Sequence, residues 1–124
     1  MDAEKGAPPR STVQAAREAV AEARQGRFPF THYGLTVRQL PRLLQRHGLG
    51  QTLAYLQMRA AGNPTSPYDL LTRQLDRWLL EVTGASARGA LAALSTRDSR
   101  FYREAAEQVW LFVHALCVYV EERR

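Results

Sequence analysis

The chain has 124 residues, 45% hydrophobic and 23% charged, and a formal net charge of +5. That length suits one domain able to bury roughly two-thirds of its unfolded surface, and the composition excludes a largely disordered protein. The single cysteine, Cys117, excludes an internal disulfide and fits a reducing cytoplasm, and the longest apolar run, residues 109–120, falls well short of the ~20 residues a membrane span needs.

Residues 1–10 mix charges with two prolines and carry no apolar stretch, so a disordered segment without an export signal is expected there. A single helical domain over residues 11–124 should follow. The first helix is expected from Ser11 or Thr12, with Ser11 and Gln14 as a capping box and Gly26 as the stop. Val13, Ala16, Val20 and Ala23 form its narrow apolar stripe. Residues 27–33 read as a loop pinned by Pro29. A second helix over 34–47 contains Pro41, which predicts a kink or a late start with Thr36 and Gln39 as the capping box. Gly48 ends it, and a third helix over 49–61 aligns Leu49, Leu53, Leu56 and Ala60 on one face.

The clearest loop is NPTSP. Within it Ser66 is a natural N-cap, Pro67 fits the first helical position and Asp69 suits the positive helix end. The helix from 67 to 83 is strongly amphipathic through Tyr68, Leu71, Leu75, Trp78, Leu79 and Val82. A short helix over 87–94 capped by Ser86 is expected next, then a long one from about 98 to 121 with Tyr102, Ala105, Val109, Phe112, Val113, Leu116 and Val120 buried. No segment alternates with period two. The expected fold is all-α, a single-domain irregular bundle of about six helices.

Little in the chain suggests catalysis. His114 and Cys117 stand three apart, but no second Cys/His pair exists to complete a zinc site, and core packing is the simpler reading. Gly48 and Gly50 are too few for a phosphate loop, and the carboxylates are scattered. No catalytic residue, metal or cofactor is expected.

The informative feature is a charge gap. No acid lies between Glu22 and Asp69, yet the interval holds Arg24, Arg27, Arg38, Arg42, Arg46 and Arg59. Arg38, Arg42 and Arg46 are spaced by four, which sets a row of guanidinium groups roughly 6 Å apart along one helix face. Leu40, Leu43, Leu44 and His47 fall on the opposite face. A solvated basic face is one reading of the row, and contact with a phosphate backbone is the other. Arg27 and Arg59 join it as candidates on charge alone. Arg73, Arg77, Arg97, Arg100 and Arg103 form a looser group diluted by Asp76 and Asp98. Aromatic residues do not interleave with the row, so base readout is not indicated.

Residues 33–57, YGLTVRQLPRLLQRHGLGQTLAYLQ, also resemble the small helical subunit of the CRISPR type III-B effector, the fifth protein of the Cmr, or RAMP, module. The step Leu40-Pro41, Leu44 with Gln45 and the run 48–56 carry the likeness, and Tyr102-Arg103 before the last helix fits it. The resemblance implies a non-catalytic subunit of an RNA-guided, RNA-targeting complex in antiviral defense. Its partners would be the other Cmr/RAMP subunits, further copies of itself, and the backbone of the crRNA/target RNA duplex. The family's basic surface maps onto Arg38, Arg42 and Arg46. Where basic residues are expected at the end of the last helix, Glu121 and Glu122 stand before Arg123 and Arg124. Two further readings remain: a helical adaptor that binds only proteins, and a helix-turn-helix regulator over 36–61, for which Gln57 and Arg59 alone could reach base edges.

Overall fold

The computed structural model describes residues 11–84 and 99–122, and every element among them is a helix: α1 Thr12–Arg24, α2 Phe30–Ala60, α3 Pro67–Thr83 and α4 Ser99–Val120. That makes four helices among the described residues where about six were expected. The second and third expected helices are the two halves of α2, consecutive in the chain and separated by a sharp break at Gly48. The expected short helix over 87–94 lies outside the described residues, as do Arg97 and the N-terminal ten.

Ser11 begins α1 as expected, its extended backbone aiming Oγ to accept the Gln14 N–H at 3.0 Å. The Gln14 side chain donates through Nε2 to Glu18. The buried stripe is Ala15, Ala16, Ala19, Val20 and Ala23. Val13 is half exposed, so the stripe is rotated from the expected one. Alanine fits either arc, and close approach to α4 selects the arc richest in it. After Gln25 the chain turns at Gly26, where an added Cβ would lie 2.6 Å from the Phe28 ring.

The expected loop over 27–33 is shorter, because α2 begins at Phe30 with Pro29 as its extended N-cap residue. Winding residues 30–33 into helix lets Tyr33 go fully into the core while Phe28 and Phe30 stack beside it. Thr36 is therefore no cap: its hydroxyl donates to the His32 carbonyl at 2.9 Å. Pro41 is accommodated inside the helix. Proline lacks the N–H that the carbonyl four residues earlier would receive, and the Cys117 thiol donates to that carbonyl, Val37 O, at 3.8 Å. The break comes at Gly48, with φ 80 and ψ 174, a conformation essentially reserved for glycine. Beyond it the helix restarts, and the Tyr102 hydroxyl accepts the Gly50 N–H at 3.0 Å, as a capping side chain would. Leu49, Leu53, Leu56 and Ala60 are buried as their spacing predicts.

Both ends of α3 match the sequence expectation. Ser66 Oγ accepts the Tyr68 N–H at 3.0 Å, Pro67 takes the first turn, and Gly84 closes the helix in a left-handed conformation. One apolar core draws on all four helices, through Ala16 of α1, Tyr33, Leu40 and Leu53 of α2, Leu71 and Trp78 of α3, and Val109, Phe112 and Leu116 of α4. Trp78 stacks on Phe112 at 5.3 Å between centroids. Gln74 is buried among three helices: it accepts from Tyr33 Oη at 2.8 Å and donates to Ala19 O and Glu22 Oε1. Two expectations for the core fail. His114 is exposed, its ring against Trp110 and its Nδ1 2.9 Å from Trp110 O, and Cys117 is half-buried rather than fully packed. No described helix is long and apolar enough to cross a membrane.

Candidate nucleic-acid interface

Arg38, Arg42 and Arg46 stand on consecutive turns of the first half of α2, before the Gly48 break, and all three are exposed. Leu40, fully buried, and the half-buried Leu43 and Leu44 hold that half of the helix to the core. His47, expected on the same inner arc, is exposed. The only non-helical residue within α2 is Gly48, past the row, and Pro41 lies inside the helical stretch that carries the row.

The row is not uniform. Arg38 Nη1 meets Glu121 Oε2 at 2.7 Å, so a carboxylate from the end of α4 reaches a row that has no acid near it in sequence. The two side chains are 45% and 61% exposed, so the pair contributes about 0–1 kcal/mol and opens readily. Arg42 and Arg46 have no ion-pair partner among the described residues. Next to the Arg38–Glu121 pair lies Cys117, whose thiol pKa is raised, foremost by burial, with Arg38 pulling it down and Glu121 pushing it up.

Arg27 and Arg59 are 32 positions apart in sequence, yet both line one groove between the α1–α2 turn and the α2–α3 loop. Arg59 is held in place without a carboxylate: its guanidinium donates to Tyr68 Oη at 3.3 Å and sits 5.1 Å from the Tyr68 ring centroid and 6.0 Å from that of Tyr55. Its pKa is pushed further up, first by that hydrogen bond. Gln39 borders both this groove and the smaller hollow lined by Arg38, Arg42 and Leu43, so the two basic surfaces run into one another. Arg46 follows one turn beyond.

Two members of the looser arginine group are spent on structure. Arg73 pairs with Asp69 at 2.9 Å and Arg77 with Glu22 at 2.7 Å. Burial raises the Glu22 pKa, but the hydrogen bonds from Gln74 and Arg77 outweigh it, and the net shift is downward. Arg100 and Arg103 are exposed beside Glu104 and Glu107. Two arginines not taken as site candidates brace α1: Arg24, from the acid-free interval, lies 4.1 Å over the Phe30 ring and donates to Glu122 O, and Arg17 sits 5.7 Å from the Tyr119 ring centroid. Among the described residues no cluster of three or more His, Cys, Asp or Glu could hold a metal.

Comparison with known families gives one finding: a model described as CRISPR-associated protein (Cas_Cmr5) matches residues 10–121, a span that includes all four described helices and all five candidate arginines. Comparisons with curated proteins and with solved structures give no match.

Proposed function

Because the chain belongs to the Cmr5 family of CRISPR-associated proteins, subunits of the type III-B Cmr complex, we propose that it acts there as a non-catalytic structural subunit touching RNA through the basic face of α2. One observation carries the reading. Arg42 and Arg46 project from consecutive turns, exposed and without carboxylate partners among the described residues, on a helix anchored from behind by Leu40. Like charges one turn apart repel, and nothing local offsets the cost, so the row is suited to a polyanion. Guanidinium groups on one face suit phosphates and carry no base code, and the contact is therefore indifferent to sequence. Arg38 joins once its exposed pair with Glu121 opens. The setting proposed is the cytoplasm, in RNA-targeting antiviral defense, beside the RAMP-type subunits that hold the guide.

The competing reading is a purely protein-binding adaptor, favoured by the Glu121 carboxylate already seated on Arg38. Charge reversal separates the two. With Arg42→Glu and Arg46→Glu together, the complex should still assemble at normal stoichiometry while retaining target RNA at least ten-fold less well. A complex that loses this subunit, with the isolated variant still folded, would replace the RNA reading with the adaptor.

A further inference from the structure

We propose that the groove between Arg27 and Arg59 docks an extended acidic segment of a different protein subunit, with one aliphatic side chain of that segment seated on Leu35. No Asp or Glu lines the groove, while Arg27 and Arg59 both do. Charge complementarity therefore selects an anionic occupant. The groove also contains Leu35, which is 53% exposed, an apolar surface that a ribose-phosphate strand does not need and an aliphatic side chain would cover. Arg59 is pre-positioned: Tyr68 Oη takes one of its N–H donors, and the remaining donors of the fork are open to a carboxylate.

Two aromatic residues of the groove, Tyr68 and Phe28, are already engaged with other side chains, which argues against base stacking on them, while His32 is exposed. Binding of bases needs open ring faces. Tyr68 carries Arg59 on its ring and meets Tyr55 edge-on at 6.3 Å, and Phe28 is stacked on Tyr33 at 6.4 Å. What the groove offers is two cations around an exposed leucine, the pattern of a protein–protein anchor. The inference rests on membership of a multi-subunit complex and is independent of RNA contact by Arg42 and Arg46.

The test places p-benzoylphenylalanine at position 35 and irradiates the assembled complex. Adducts are then mapped by mass spectrometry. The expected adduct joins position 35 to a segment of another subunit that holds several Asp or Glu and an aliphatic residue, and its yield falls at least five-fold when Arg27→Glu and Arg59→Glu are introduced. These residues are exposed, and circular dichroism verifies that the variants fold. Adducts mainly to RNA, to a further copy of this chain or to a segment without acids would overturn the proposal, as would the absence of any adduct or a yield indifferent to the two reversals.

Discussion

Replacing Gln74 with leucine removes a buried acceptor at nearly constant volume. Gln74 is 3% exposed, and Tyr33, whose hydroxyl it receives at 2.8 Å, is fully buried. Burial foremost, with the nearby Glu22 charge, drives the Tyr33 pKa upward, so the phenol stays protonated and must donate. In Gln74→Leu that donor has no partner, at a cost of about 1–3 kcal/mol. The other two losses are smaller: Ala19 lies mid-helix, where its carbonyl has a backbone partner, and Glu22 keeps Arg77. Tyr33→Phe strands the Gln74 amide oxygen at a similar cost of about 1–2 kcal/mol. Removing both groups strands neither, so the double variant should be more stable than the summed single effects predict by about 1–2 kcal/mol. Urea unfolding followed by helical circular dichroism measures all four corners of the cycle. Additivity within about 0.5 kcal/mol would refute the idea that this pair is the hydrogen-bonded hub of the core.

Gly48→Ala should destabilise by about 1–3 kcal/mol in the same assay, because φ 80 with ψ 174 is strained for any side chain. An unchanged midpoint would mean that the break in α2 is not held. Glu22 has its pKa lowered from 4.5, so its stabilising contribution is present at neutral pH and is lost as the pH falls below 4.5 through the folded-state value. Glu22→Gln should make the acid limb of the stability–pH curve shallower, and an identical limb would remove Glu22 as a source. Glu121→Gln frees Arg38 and should steepen the salt dependence of RNA binding by about 0.7 log units per log unit of salt. No steepening would keep Arg38 out of the interface.

Local chemistry made much of this fold readable. The Ser66-Pro67 start of α3, its end before Gly84 and the break at Gly48 each depend on residues adjacent in sequence, and each lies where the residue types predict. The misplaced features depend on distant partners. Pro29 with two phenylalanines resembles a loop until Tyr33 is seen to need the core, and that need starts α2 early. Pro41 predicted a kink or a late start, yet it lies inside α2, and the carbonyl it leaves without a backbone donor meets Cys117, 80 positions away. His114 sits among apolar neighbours in sequence while lying on the solvent face of α4. For the candidate site, exposure of the arginine row followed from its helical period. The Arg38–Glu121 pair crosses 83 positions and left no local signal. The meeting of Arg27 and Arg59 around one groove likewise depends on the break at Gly48, which brings the two halves of α2 together; an unbroken helix of that length would hold its ends roughly 45 Å apart. Tyr102 as the acceptor for Gly50 was also missed, although the likeness of Tyr102-Arg103 to the family marked the position.

The exposed pair Arg42 and Arg46 is the centre of the functional account, and the slope of log affinity against log salt for a single-stranded RNA reports on it most directly. Alanine at both positions removes two phosphate contacts and should flatten that slope by about 1.4. Wild-type and doubly substituted proteins with the same slope would contradict the account.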